Sequence, residues 1–254
     1  QADGRLIYSD KNIELSSALN KIFKDVNNNE YYNIIQSFGG DLVGSLSLNK
    51  KYFEILAEDK KKLDKVSEIV DKSMLKRVGL TPEGNLIKKG YLDRLVSDSS
   101  FQKELKQEVI KGISSNKSFV DFNKDIQNFV IGKDGVDGGL QRHLNTFAYD
   151  TYEQFNRATS KEYAVKLGLS AFIFAGGKIA SSRCFCDKNN AKVFTTEEAQ
   201  LWKNELNTGC GPIWDESTDG AYDPLTMMGG YRCRHTPDFI SDTTAKKLRP
   251  DLAL

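Results

Sequence analysis

Three observations predict an α+β chain, mainly helical over its first two thirds, with one long helix leading into a small Cys/His-rich α+β C-terminal module. Amphipathic helical periodicity recurs along the N-terminal part. A run without Pro or Gly extends over 140–167. At Gly168 the texture changes to short apolar segments bounded by glycines, and all four cysteines lie beyond it. The expected organisation is a helical domain, 1–168, and a small module, 169–254.

The elements follow in order. "NIELSSALNKIFKDV" places Ile13, Leu15, Leu19, Ile22 and Phe23 near one helical stripe. Residues 50–79 continue in helical register through Ile55, Leu56, Leu63, Val66 and Ile69, with Gly79 as the stop. Thr81 before Pro82 reads as an N-cap followed by proline at the first helical position, opening a helix across 80–98. Two short helices follow, divided at "GISSNKS". The long helix carries Leu140, Leu144, Phe147, Ala148, Thr151, Phe155, Ala158 and Val165, mostly three or four apart. Beyond Gly168, "LSAFIFAGG" and "AKVF" read as strands. "TTEEAQLWKNEL" reads as a helix capped by Thr195 or Thr196, with Glu197 and Glu198 in its first turn. Residues 207–230 hold five glycines, two prolines and three aspartates and read as loop.

Composition bounds the function. Lys and Arg number 36 against 35 Asp and Glu, and the excess is not concentrated in either half. That argues against a dedicated nucleic-acid binder, whose affinity rests on neutralising phosphates. No stretch has the ~20 apolar residues that a membrane span needs, and none reads as a signal peptide. The opening Gln1 suits a processed or partial product.

The cysteines carry the chemistry. "SSRCFC" and "GGYRCRH" bring Cys184, Cys186, Cys233 and His235 in C-x-C and C-x-H spacing, and Cys210 lies between them. These five side chains offer the thiolate and imidazole donors that tetrahedral Zn²⁺ takes, and thin-cored modules often depend on such an ion. Disulfides, or reduced cysteines packed as small hydrophobes beside a hydrogen-bonded histidine, are the alternatives. A Cys233–His235 nucleophilic dyad lacks any local sign of an oxyanion hole. The glycines of "FAGGKIASS" lack a P-loop context, and "DESTDGAYD" lacks the register of a calcium loop.

Three features resemble the phage Mu protein F-like family of minor head, or head-morphogenesis, proteins. They are the helix–turn–helix "ELKQEVIKGISSNKSFVDFNKDI", the long helix with Thr151, Asn156 and Arg157, and the end module from "SRCFC" through "AKVFTTEEAQLW" to "GGYRCRH". The likeness spans roughly 100–240, and no Ala-Arg-Thr-Glu tetrapeptide, frequent in that family's long helix, occurs here. The resemblance implies a structural protein of the virion, assembled in the host cytoplasm and packaged near the portal. Its partners would be portal and capsid proteins, with contact to packaged DNA and neither membrane nor small-molecule substrate. It implies no catalytic residue and gives the Cys/His positions a structural role. The alternative is a metal-dependent nuclease or toxin-like transferase on a helical delivery domain. Its general base would come from Asp187, Glu197, Glu198 or Asp223.

Overall fold

The computed structural model describes residues 32–97 and 139–252, with isolated positions between 104 and 137. Helices α1 (Tyr32–Leu56), α2 (Lys60–Val78) and α3 (Tyr91–Ser97) come first. The short strands β1 (Gly132–Lys133) and β2 (Val136–Asp137) then lead to the long helix α4 (Gly139–Leu167). Next come β3 (Ala171–Ala175), α5 (Cys184–Asn189), β4 (Val193–Thr195) and α6 (Thr196–Gln200), which runs into a 3-10 turn at Leu201–Glu205. The chain closes with α7 (Glu216–Asp219), α8 (Pro224–Met227), β5 (Thr236–Ile240) and α9 (Asp242–Leu248). The class is the α+β arrangement that the periodicity predicts. The helix expected over 12–26 and the turn at 112–118 lie outside the described residues.

Contacts divide the chain into two compact units. One has the residues up to Gly39 together with Val78–Ala148; the other has Gly40–Arg77 and the residues from Tyr149 onward. This division runs through helices, whereas the change of sequence texture falls at Gly168.

In the first unit, the helix expected across 80–98 begins only at Tyr91. Thr81 is no N-cap. Its hydroxyl accepts from the Asn85 amide at 3.2 Å, closing a tight loop in which Leu80 bridges Leu86. Gln36 holds that loop from both ends, donating to the Gly84 carbonyl at 2.7 Å and accepting from the Leu86 amide at 3.2 Å. A Thr-Pro signal thus serves a turn, because Pro fits the first position of either structure.

In the second unit, the helical register expected through 50–79 breaks at 57–59. Asp59 caps α2 by accepting from the Lys62 amide at 3.0 Å. Leu63, Val66, Val70 and Met74 are buried along α2, whereas Ile55 and Ile69, read as part of the stripe, are exposed. On α4, Val165 is likewise exposed, and Tyr163 and Ala164 are buried instead. Phe53 of α1 stacks on Tyr163 with ring centroids 4.8 Å apart. Asn49 donates to Asn156 at 2.6 Å and accepts from Ser160 at 2.7 Å. Aromatic stacking and a half-buried amide pair therefore fix α1 against α4.

The sheet is antiparallel in the order β4-β3-β5. Phe172 lies opposite Phe194 on one side and Phe239 on the other, and Phe174 lies opposite Pro237. Alternation along β3 puts Phe172 and Phe174 on one face. There Trp202 meets both rings edge-on, at 6.1 and 5.7 Å, and Phe185 approaches Phe174 at 5.8 Å. A smaller cluster gathers Ala171, Val193, Ile240, Ala245 and Leu252. The Tyr52 hydroxyl donates to the Phe239 carbonyl at 2.6 Å, joining α1 to β5.

The capping box expected at α6 is present. Thr195 accepts from the Glu198 amide at 3.0 Å and Glu198 accepts from the Thr195 amide at 2.9 Å. Arg249 grips the same carboxylate with two bonds, at 2.7 and 2.6 Å.

Two outcomes follow. Phe172→Ala is expected to cost about 3–5 kcal/mol, the usual penalty for emptying an aromatic core position, as read from urea denaturation. Glu198 is held below the usual carboxylate range, chiefly by the Arg249 hydrogen bonds and then by the Thr195 amide. Its stabilising effect is therefore complete above the unfolded carboxyl value of about 4.3 and is lost as pH falls through the lower folded value. Glu198→Gln should be less stable than the parent at neutral pH, and the gap in urea midpoints should close in acid.

Candidate metal centre

Cys186, Cys233 and His235 are buried, and their donor atoms all lie within 4.8 Å of one another. The two sulfurs are 3.8 Å apart, and Cys233 Sγ is 3.8 Å from His235 Nδ1. Helix α5 supplies Cys186 at its third residue; the loop entering β5 supplies the other two.

The "GGYRCRH" stretch folds this way for steric reasons. A Cβ on Gly229 would sit 2.8 Å from Cys186 Sγ and 3.2 Å from Cys233 Sγ, so only glycine lets the backbone pass over both sulfurs. Gly230 has φ +91, and a Cβ there would meet the Ile213 carbonyl oxygen at 1.8 Å. The loop then turns back, with the Cys233 amide bonding the Gly230 carbonyl at 3.1 Å. The Gly229 amide donates to Cys233 Sγ at 3.3 Å, a contact that favours thiolate.

Orientation of the histidine follows from its second nitrogen. His235 Nε2 lies 3.1 Å from Asn190 Oδ1, an acceptor, so Nε2 carries the proton and the Nδ1 lone pair faces the sulfurs. The imidazole rests on Phe174, centroids 4.6 Å apart, and so joins the aromatic core.

Arg157 anchors the loop from α4. Only 2% exposed, its guanidinium donates to the Cys233 carbonyl, to the Thr226 carbonyl at 3.3 Å and to Glu153 at 3.2 Å. Arg183, the residue before α5, donates to the Tyr231 carbonyl and ties the other side of the loop to Cys186. The buried Tyr222 hydroxyl donates to the Met228 carbonyl.

The thiols share a proton unequally. Cys186 donates to Cys233, and that bond first, then burial, pushes the Cys186 thiol up. The same bond, helped by the Arg157 guanidinium, holds Cys233 below the ordinary thiol value against its own burial. Two sulfurs and one imidazole nitrogen, one sulfur already favouring thiolate, form a donor set able to hold a metal ion.

The five expected ligands therefore separate. Cys184 and Cys210 form a disulfide, with Cα atoms 5.2 Å apart, and take no part in the cluster. Cys184 and Cys186 are two apart on a helix and face different directions, so the C-x-C spacing does not deliver both sulfurs to one point. The disulfide reading describes Cys184 and Cys210, and the donors left for a metal are Cys186, Cys233 and His235.

The cluster opens on a cleft of about 410 Å³ lined by all three donors and by Arg183, Arg232 and Arg234. The carboxylates considered as bases are absent from its lining. Glu198 serves the α6 cap and Arg249, and Asp223 caps α8 and pairs with Lys161 at 2.6 Å. Asp187 and Glu197 are exposed. Asn190 and Glu153 carry no motif signal: "KNNAK" reads as a turn, and Glu153 is one polar position among many on α4. The chain matches no family model, no curated protein and no solved structure with which it was compared.

Arg157→Met should cost about 3 kcal/mol or more, because it strands two buried carbonyls and the Glu153 carboxylate. Arg157→Lys keeps the charge but cannot reach three acceptors, and should recover only part of that loss in the same urea titration.

Proposed function

We propose that the chain is a minor head protein of a phage particle, whose C-terminal module is a zinc-locked docking unit held on the end of α4. Among the stretches that resemble the Mu protein F-like family are Arg157 in the long helix, "SRCFC" and "GGYRCRH". The observation that carries the reading is that these stretches meet. Arg157 binds the Cys233 carbonyl, Arg183 binds the Tyr231 carbonyl, and Cys186 faces Cys233 and His235. A motif whose parts hold one another in place suits a structural module more than a scattered set of reactive groups.

The spacing of the two sulfurs suits zinc. Zn–S bonds of about 2.3 Å at a tetrahedral angle set two sulfurs about 3.8 Å apart, and the sulfurs of Cys186 and Cys233 stand at 3.8 Å. A thiol–thiolate contact has a similar length; the imidazole nitrogen at a third corner, aimed by Asn190, is what favours an ion. In this reading the module attaches to portal or shell, the particle is its location, and its partners are proteins.

One observation favours a second reading. The three donors line the cleft, and three protein ligands would leave a bound zinc one open position, the pattern of catalytic zinc sites. A metal-dependent hydrolase would need a base there, and the cleft lining supplies no carboxylate.

Elemental analysis of the full chain should give about one zinc per molecule. C186S/C233S should reduce it to background, and C184S/C210S should retain it. Protein free of zinc after expression in zinc-replete medium would refute the ion. The docking role is tested separately, by sedimentation of the chain with purified portal rings and with empty shells. Co-sedimentation that C233S/H235A abolishes is expected, and no association with either assembly would overturn the role.

A further inference from the structure

We propose that the cleft above the Cys/His cluster is a binding site for a phosphate group, read by Arg183, Arg232 and Arg234 together with Ser181 and Ser182. The inference goes beyond the head-protein reading and requires neither portal nor metal.

Charge distribution is the first argument. From Ser181 onward the chain has 9 basic and 11 acidic residues, so the module is slightly acidic as a whole. The cleft reverses that balance: its lining has three arginines and no carboxylate. Low-dielectric walls focus the field of these positive charges in one concavity, where a bound anion would meet it.

The second argument is preorganisation. Arg183 is only partly exposed, and its bond to the Tyr231 carbonyl fixes the guanidinium at the cleft wall. Arg232 and Arg234 flank the buried Cys233, whose backbone is held by Arg157 and by the Gly230 carbonyl. Arg232 has φ 54, a backbone state that arginine rarely adopts and that sets the direction of its side chain. The Ser182 hydroxyl accepts from the Ile179 amide at 2.9 Å, which leaves its own proton to donate. Neither Arg183 nor Arg234 forms an ion pair among the described residues. The nearby carboxylate is Asp150, which feels the charges of Arg232, Arg157 and Arg183 from the α4 side.

The donor chemistry selects the ligand. Guanidinium forks bind the paired oxygens of phosphate, and serine hydroxyls complete such shells. Two sources present that group: a nucleic-acid backbone, or a free phosphate such as a nucleotide tail.

The test uses the full chain and two probes, a fluorescein-labelled single-stranded oligonucleotide followed by anisotropy and inorganic pyrophosphate followed by calorimetry. R232Q/R234Q removes two exposed cleft charges; K246Q/K247Q removes two exposed charges from α9 and is the matched control. The cleft variant should weaken binding at least about tenfold and lower the salt slope for the oligonucleotide by about 1.4, while the control keeps the parent affinity. Arginine-dependent binding of the oligonucleotide identifies a backbone phosphate, and arginine-dependent binding of pyrophosphate alone identifies a free one. Absence of binding to both probes, or equal losses in cleft variant and control, overturns the proposal. Zinc content and portal association, measured on the same preparations, keep this outcome distinct from failure of the head-protein reading.

Discussion

One buried guanidinium organises the second unit. Arg157 reaches from α4 to the carbonyl of Cys233, and the loop so held places both Cys233 and His235. A buried charge persists where acceptors meet it, and two carbonyls and a carboxylate converge on this one. The aromatic face of the sheet completes the arrangement, since Phe174 touches His235 on one side and Trp202 on the other. Helix, loop and sheet thus share one small volume, and the sulfurs occupy its centre.

Much of the architecture was legible because it rests on local rules. The long helix, the β3 strand and the Thr195–Glu198 box are recorded in periodicity, apolar runs and capping chemistry. The misses have physical causes. Helix α1 contains Gly39, Gly40 and Gly44, residues of low helix propensity, and it is stabilised by packing such as Phe53 on Tyr163. Strand β5 includes Pro237, which is tolerated because among the described residues β5 is an edge strand paired with β3. Helix α5 hides inside "CFCDKN", six residues too few for a period to emerge.

The candidate site was half legible. Residue chemistry pointed to five donors, and spacing could not divide them. A helix under Cys184 and Cys186 sends one sulfur to Cys210 and the other to Cys233. The aids to the site, Asn190 and Glu153, are ordinary polar residues until the fold brings them beside the cluster. Arg157 stood out only through likeness to other sequences, and its role appears once its three acceptors are located. A centre so dependent on backbone carbonyls leaves little trace in the identities of its neighbours.

The bridge between Cys184 and Cys210 has its own bearing on this module. It encloses α5, β4 and α6 in a covalent ring with a sequence separation of 26, and such a ring restricts the unfolded chain by about 3 kcal/mol. The ring begins two residues from a cluster donor but contributes no atom to the cluster. With no ion in the cluster the girdle stays closed, and the wandering of Cys186 is confined to the reach of a tethered loop. Capture of the proposed ion would then be a short local search instead of a complete refolding.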